Sequence, residues 1–201
     1  MFDKVKTSSK RANALGGLLV KTTHQKVLSL FLAYPERHFY GSEISKKIRI
    51  SIGQTSKILS DLLAAGVVVK ERKGKTELYN IAEMTPELRL FKILNTVMNI
   101  APLVILLKPM STRILLFGSC AKGMNAEESD LDILVVSGDR EQVLNTVAKF
   151  SPKEHYGFAE IKPVMKTPAE WARLEAKDPV FFAEVHKGIV LYEKEIDESR
   201  L

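Results

Sequence analysis

Residues 111–136 read STRILLFGSCAKGMNAEESDLDILVV, and this stretch determines how the second half of the chain is interpreted. It contains two apolar runs, at 114–117 and 133–136, that have the length and composition of buried strands. A glycine-serine turn follows the first run, and two aspartates precede the second. The pattern predicts two strands of one sheet with a polar site where they connect.

Asp130 and Asp132 stand immediately before the second apolar run. Residues two apart on a strand point to the same side, so we expect both carboxylates to face one point. Close carboxylates raise each other's pKa unless a cation is shared between them. Oxygen ligands suit Mg²⁺, and Mn²⁺ is the alternative ion. The spacing therefore predicts that this pair binds a divalent metal.

Gly118 and Ser119 form the turn after the first apolar run. Backbone N–H groups of such a turn can hold a phosphate, and the Ser119 hydroxyl can add a further donor. The single cysteine, Cys120, excludes an internal disulfide. No histidine is placed by a motif to activate Cys120, so we interpret it as a small turn residue and not as a nucleophile.

The order G-S-x-x-x-G, five further residues and S-D-x-D resembles the signature of the polymerase-beta-like nucleotidyltransferase superfamily, especially its minimal nucleotidyltransferases. The closing segment GIVLY at 188–192 resembles the same proteins. The resemblance implies binding of ATP or another nucleoside triphosphate, with catalysis by Asp130 and Asp132. Lys122 stands where the family often carries an arginine. The implied nucleotide-binding residues are Gly118, Ser119, Lys122, Gly123 and Ser129.

A third carboxylate in this superfamily normally comes from a neighbouring strand and is usually an aspartate. The best candidate is Glu160, on a predicted strand at 156–165, where it would complete the catalytic and metal-binding set with Asp130 and Asp132. Pro163 leaves the register of that strand open. Without a third carboxylate, nucleotide binding alone becomes the better interpretation.

The net charge of +6 is unevenly distributed along the 201 residues. Residues 1–84 carry 15 Lys and Arg against 7 Asp and Glu, which gives +8. The remaining residues carry 15 against 17, which gives −2. A basic half predicts a polyanionic partner, and an acidic half suits a metal-using site. This asymmetry predicts two domains with different tasks.

The basic half has the element order of a DNA-binding domain. We predict helices at 24–34, 43–48 and 52–65, then strands at 67–71 and 76–81 around the basic tip RKGK. Over residues 21–83 this order resembles a winged helix-turn-helix of the bacterial and archaeal regulator type. The resemblance implies that the second helix of the motif enters the major groove of double-stranded DNA and that the wing touches phosphates. The implied DNA-binding residues are Ser51, Gln54, Thr55, Lys57, Arg72, Lys73 and Lys75. The alternative is a winged helix used only for protein contacts.

The segment after the wing predicts an apolar helix from Pro86 towards Ile100, with a separate apolar piece at 103–107 between Pro102 and Pro109. Its wide apolar surface suits a linker or the contact of a homodimer. The predicted fold is α+β: an N-terminal arm (1–20) and winged helix-turn-helix (1–84 together), a helical linker (85–110) and a small mixed-sheet nucleotidyltransferase domain (111–201). Helices at 140–150 and 169–176, another from 179 and a last strand at 188–192 complete it.

Three functions remain open at this stage. The first is an Mg²⁺-dependent enzyme that transfers a nucleoside monophosphate to a hydroxyl acceptor. The second is a DNA-binding regulator whose nucleotidyltransferase domain senses nucleotide or is inactive. The third is an antitoxin-like protein with a toxin-like protein partner, since minimal nucleotidyltransferases often pair with a helical toxin. A cytoplasmic protein is expected, because the N-terminus has no signal-peptide pattern and no apolar run reaches about 18 residues.

Overall fold

The computed structural model describes residues 22–126, 128–150 and 158–194. The predicted N-terminal arm at 1–20 and the last residues, 195–201, therefore lie outside the described residues. The first elements in chain order are α1 (Thr23–Ala33), β1 (Phe39–Tyr40), α2 (Gly41–Ile48), α3 (Ile52–Ala64), β2 (Val68–Lys73), β3 (Thr76–Ile81) and α4 (Pro86–Leu107). The later elements are β4 (Arg113–Phe117), α5 (Gly118–Ala121), β5 (Leu131–Val136), α6 (Arg140–Lys149), β6 (Ile161–Lys166), α7 (Pro168–Ala172), α8 (Leu174–Lys177), α9 (Pro179–His186) and β7 (Ile189–Glu193).

The N-terminal elements form a winged helix-turn-helix, as the sequence predicted. Three helices enclose an apolar core that contains the fully buried Phe31, Phe39 and Ile44. The strands make an antiparallel sheet in the order β1-β3-β2, and β2 and β3 form the wing. Helix α3 begins with a capping box, in which Ser51 and Gln54 each accept from the other's backbone N–H.

Helix α4 packs against two cores. Near its start, Leu88 and Phe91 contact the winged-helix core. Towards its end, Ile100, Leu103 and Leu107 are buried against the C-terminal sheet. The predicted break at Pro102 is wrong, because α4 runs without interruption from Pro86 to Leu107. A proline costs one backbone hydrogen bond inside a helix, and burial of this apolar end offsets that loss.

The segment Pro86–Met110 is also long and apolar enough to cross a membrane, with a mean hydropathy of 1.9. Core helices of soluble proteins pass the same test, and 44% of its most apolar window is buried inside the protein. Charged and polar residues interrupt the apolar runs of this segment, so none of them reaches about 18 residues. The division of the chain at residues 84 and 110 stays a prediction.

The C-terminal part is a four-stranded mixed sheet with helices on both faces. The strand order is β6-β5-β4-β7, with β5 and β6 parallel and the other pairs antiparallel. One face packs on α4 and α6 through Val143 and Val147. The other face packs on α7 and α9 through Trp171 and Val185. The predicted α+β class with a mixed sheet is therefore confirmed.

Most predicted boundaries shift by one or two residues, and two elements of the C-terminal part differ further. The strand predicted at 156–165 is described as β6 (Ile161–Lys166), and residues 151–157 lie outside the described part. The helix predicted at 169–176 is divided into α7 and α8 at Arg173, whose φ of −105° and ψ of 3° depart from helical values. Neither change alters the order of the elements.

Arg49 provides a test of the turn between α2 and α3. It ends α2 in the left-handed region, with φ 60° and ψ 52°, and its side chain is exposed. Glycine tolerates this conformation better than any residue with a Cβ atom. We expect Arg49→Gly to raise the free energy of unfolding by about 0.5–1 kcal/mol, measured by chemical denaturation.

The matched control is Gly66, which follows α3 with φ +69° and open space around its Cα. Gly66→Ala should lower the free energy of unfolding by about 1 kcal/mol, because it introduces a Cβ atom into the same backbone region. A destabilised Arg49→Gly protein would contradict this account of the turn.

Candidate functional site

The candidate site lies where β4 ends beside the start of β5. Phe117 pairs with Asp132 as the last residue pair of these strands, and the chain turns at Gly118 with φ +71°. A Cβ atom on Gly118 would lie 2.6 Å from Oδ2 of Asp132. Only glycine therefore allows the backbone to pass this close to the carboxylate. The sequence prediction that the glycine turn and the aspartates share one site is consistent with this contact.

Asp130 and Asp132 lie close enough to influence each other. Burial raises the pKa of Asp132, and the neighbouring charge of Asp130 raises it further. Lys162 acts in the opposite direction on the pKa of Asp132. Its Nζ lies 2.5 Å from Oδ2 of Asp130, so an ammonium group from β6 already contacts the pair. Sequence reasoning missed Lys162, because its position depends on the register between β5 and β6.

Glu160 does not complete a three-carboxylate site. It is exposed just before β6, where its backbone carbonyl accepts a hydrogen bond of 2.8 Å from Leu131. Within residues 22–126, 128–150 and 158–194, no three His, Cys, Asp or Glu residues lie together as a metal-binding group. The predicted ligand role is corrected on this point: the β6 residue paired with Asp132 is Lys162 and not a carboxylate.

Helix α5 begins at the turn itself, and its residues pack next to Asp130. Cys120 is fully buried, and its Sγ donates to the backbone carbonyl of Asp130 over 3.5 Å. Burial raises the pKa of this thiol to about 12, so it is neutral at physiological pH. A neutral, buried thiol supports the interpretation of Cys120 as a small turn residue. The backbone carbonyl of Ser119 accepts from Met124 over 2.9 Å, which closes the following loop.

The other residues of the motif have structural partners. Lys122 Nζ lies 2.6 Å from Glu184 Oε1, in an ion pair that joins α5 to α9. Gly123 has φ +65°, and a Cβ atom there would lie 2.8 Å from the backbone carbonyl of Arg89. Ser129 Oγ accepts from the backbone N–H of Ala126 over 2.8 Å. Nucleotide binding by these three residues therefore stays a prediction.

Lys92 is a second residue that the sequence analysis missed. It lies on α4, is only 4% exposed, and donates through Nζ to the backbone carbonyl of Asn125. Burial lowers its pKa to about 8. In the sequence, the signal for this residue was a lysine among the apolar residues of a predicted helix. Together with the close contact between Gly123 and Arg89, this bond holds the loop after the glycine turn against α4.

The predicted DNA-contacting residues divide into exposed and buried ones. Ser51, Gln54 and Lys57 are exposed on α3, although Ser51 and Gln54 also cap that helix. The prediction of Thr55 as an exposed DNA contact is wrong. Thr55 is 1% exposed, and its Oγ1 donates to the backbone carbonyl of Ser51 over 3.0 Å. Ser56 is exposed next to it and was missed, because the helical phase was misjudged by one residue.

The wing carries its predicted basic residues at the exposed hairpin tip. Arg72, Lys73 and Lys75 are all exposed around Gly74, where the backbone turns with φ +65°. Arg72 Nε also donates to the carbonyl of Gly74 over 3.2 Å. A groove of about 540 Å³ between α3 and the wing has Ser56 and Arg72 in its lining. Binding to DNA through these residues stays a prediction.

Comparison with known protein families assigns the C-terminal part. Residues 103–187 match the family model described as a nucleotidyltransferase domain. The match spans the glycine turn, the aspartate pair, β6 and the three helices that follow it. The chain therefore joins a winged helix-turn-helix fold to a segment that is similar to nucleotidyltransferase domains. No curated protein sequence matches the chain.

Solved structures similar to this chain include three proteins. HlyU from Vibrio cholerae, in its reduced form, is 18% identical, with 47% of this chain and 95% of that chain covered and a TM-score of 0.33. The homodimeric winged helix-turn-helix DNA-binding domain of Mb0332 from Mycobacterium bovis is 21% identical, with 47% and 85% covered and a TM-score of 0.33. Rv0081 from M. tuberculosis is 24% identical, with 44% and 86% covered and a TM-score of 0.32. At these TM-scores the similarities add nothing to the winged helix-turn-helix that the element order defines.

The contact at Gly118 predicts a defect in nucleotide binding. In Gly118→Ala the new Cβ atom would displace the Asp132 carboxylate, so we expect the affinity for a labelled nucleoside triphosphate to fall at least about tenfold. Fluorescence anisotropy with Mg²⁺ measures this, with circular dichroism as a check of folding. Gly138→Ala is the control, because a Cβ atom there meets nothing within 4 Å. Equal affinity in the Gly118→Ala and wild-type proteins would contradict the assignment.

The lowered pKa of Lys92 predicts a pH dependence of stability. Between about pH 8 and the unfolded value of 10.5, the folded protein has lost a proton that the unfolded chain retains. The free energy of unfolding therefore rises with pH in this window, and Lys92 contributes about 1–3 kcal/mol of the rise. Denaturation of the wild type and Lys92→Met between pH 7 and 10 measures the difference. Lys149→Met, at an exposed position, should keep the wild-type slope. A Lys92→Met protein with that same slope would contradict the prediction.

Proposed function

We propose that the C-terminal domain is an Mg²⁺-dependent nucleotidyltransferase that moves a nucleoside monophosphate from ATP or another nucleoside triphosphate to a hydroxyl acceptor. The observation that carries the proposal is the contact between Gly118 and Asp132. It brings a glycine turn, of the kind whose backbone N–H groups can bind phosphate, beside the two carboxylates. In such a site the turn would hold the triphosphate. Asp130 and Asp132 would hold the metal.

The donor set fits Mg²⁺ that arrives with a nucleotide. Mg²⁺ commonly binds through one or two carboxylates together with substrate phosphates, and it does not need a cage made only of protein ligands. Asp130 and Asp132 supply the two carboxylates, and Asp132 is held against the glycine turn. The bound ion would neutralise charge on the triphosphate and favour ionisation of the attacking hydroxyl. Mn²⁺ would serve in the same role.

The proposed reaction exchanges one phosphorus–oxygen bond for another. The acceptor oxygen, with loss of its proton, forms a bond to the α-phosphorus. The bond from the α-phosphorus to the bridging oxygen breaks, and pyrophosphate leaves with that electron pair. Gly118 and Ser119 orient the triphosphate in this scheme, because the first turn of a helix presents backbone N–H groups to an anion.

Transfer of label tests the enzyme directly. The chain is incubated with Mg²⁺ and each nucleoside triphosphate labelled at the α-phosphate, together with protein, nucleic-acid and small-molecule acceptors. We expect one acceptor class to gain label, and we expect Asp130→Asn and Asp132→Asn to lower the rate at least about a hundredfold. Asp139→Asn is the control, because Asp139 caps α6 away from the turn. Equal transfer by the Asp132→Asn and wild-type proteins would exclude the proposed site.

A second candidate function is nucleotide sensing without turnover. The ion pair between Lys162 and Asp130 favours it, as does the lack of a third acidic ligand among the described residues. In that case, nucleotide would bind and change the affinity for DNA, but no label would be transferred. The two functions therefore differ in the transfer experiment.

We also propose that the winged helix binds double-stranded DNA. Its support is the net charge of +8 over residues 1–84, the exposed basic wing and the exposed polar residues of α3. A winged helix covers a half-site, so a homodimer would read a full site. The exposed Leu90 and Leu94 of α4 would supply the dimer contact. A toxin-like protein partner, as in the antitoxin-like interpretation, and a cytoplasmic location stay predictions.

The DNA proposal predicts a steep dependence of affinity on salt. Each phosphate contact releases counterions and contributes about −0.9 to the slope of log affinity against log salt concentration. Changing Arg72, Lys73 and Lys75 together to Ala should flatten the slope by roughly two to three units, measured by anisotropy with duplex DNA. The control changes three exposed lysines of the other domain, Lys149, Lys177 and Lys187, to Ala. An unchanged slope in the wing variant would show that the wing does not contact DNA.

A further inference from the structure

The carboxylates of Asp130 and Asp132 lie beside the positively charged side chain of Lys162. Lys162 is the β6 residue that pairs with Asp132 in the parallel register, and its Nζ reaches Oδ2 of Asp130 over 2.5 Å. One ammonium group therefore contacts one aspartate and lies on the strand position beside the other. A divalent ion bound by both carboxylates would therefore meet this ammonium group.

The strand geometry places Lys162 within a group of acids. Residues paired in register on neighbouring strands share a side of the sheet, so Lys162 faces the same way as Asp132. The ammonium group is attracted electrostatically by Asp130, Glu160 and Asp132. Its charge therefore offsets part of the repulsion between these acids.

The Lys162 side chain can also move away from Asp130. Its side chain is 57% exposed, whereas that of Asp130 is 29% exposed. A long, exposed side chain moves into solvent at little cost, and an exposed ion pair contributes little to stability. The aspartate, in contrast, is held at the start of β5. The ion pair is therefore stable enough to form and weak enough to be exchanged.

We propose that Lys162 is an internal counter-ion that makes metal loading depend on nucleotide. The inference rests on the proposed function, because it concerns the same carboxylate pair. A free divalent ion must displace the ammonium group and gains only two carboxylates. An ion that enters with a triphosphate brings phosphate oxygens as ligands, and their negative charge also attracts the displaced ammonium group. Lys162 therefore opposes binding of the bare ion and does not oppose binding of its nucleotide complex.

Metal titration with and without nucleotide tests this role. Mn²⁺ binding is measured by electron paramagnetic resonance, first alone and then with non-hydrolysable nucleoside triphosphate analogues. We expect Lys162→Met to bind Mn²⁺ alone about two- to fivefold more tightly than the wild type. Its affinity for the Mn²⁺–nucleotide complex should be unchanged or weaker. Lys162→Arg, which keeps the cation, should behave as the wild type.

Two further variants make the result interpretable. Lys166→Met removes a lysine from the other end of β6, where Lys166 lies over the ring of Phe181, and should leave both affinities unchanged. Asp132→Asn should weaken Mn²⁺ binding in both conditions, which tests the proposed function separately. Thermal melting checks that each variant is folded.

The outcomes separate the two claims. Unchanged or weaker binding of Mn²⁺ alone by Lys162→Met, with Asp132→Asn still defective, would overturn the role of Lys162 and leave the proposed site intact. Equal binding by Asp132→Asn and the wild type would overturn the metal site and the inference with it. Tighter binding in Lys166→Met as well would also overturn the inference, since a general loss of positive charge would then explain the effect.

Discussion

The close approach of the Asp132 carboxylate to the Cα of Gly118 is the constraint on which the candidate site depends. The last residue pair of β4 and β5 puts Asp132 beside Phe117, and the chain must turn away at once. A left-handed turn at Gly118 achieves this and starts α5 next to the carboxylate. Cys120 then fills the space below and contacts the backbone of Asp130. The turn, the short helix and both aspartates therefore form one packed unit.

Helix α4 is the physical link between this unit and the winged helix. Leu88 and Phe91 pack into the N-terminal core, and Lys92, one residue after Phe91, bonds to the loop that follows the glycine turn. The contact between Gly123 and Arg89 brings the backbone of the same loop against the helix. The loop after the glycine turn and the winged-helix core therefore share one supporting helix.

Local sequence patterns predicted most of the fold. The end of α3 at Gly66 and the glycine of the wing each depend on neighbours in sequence, so the helix-turn-helix and the wing were accessible from the sequence. The same holds for the turn at Gly118. Pro102 was misjudged, because burial of the end of α4 depends on contacts with a distant sheet.

The parts of the site that the sequence did not predict depend on long-range register. Whether Glu160 or Lys162 meets the aspartates is decided by the pairing of β5 with β6, which local patterns do not specify. Thr55 was misjudged for a smaller reason, since a shift of one residue in helical phase moves a side chain by about 100°. The buried Lys92 required knowledge of which side of α4 meets the loop.

The most direct test of the nucleotide site is a crystal structure of the chain with Mn²⁺ and a non-hydrolysable nucleoside triphosphate analogue. The manganese position is read from its anomalous signal. We predict a manganese peak shared by Asp130 and Asp132, phosphate density against the backbone of Gly118 and Ser119, and Lys162 released from Asp130. A nucleotide bound elsewhere, or manganese absent from the aspartate pair, would contradict the account.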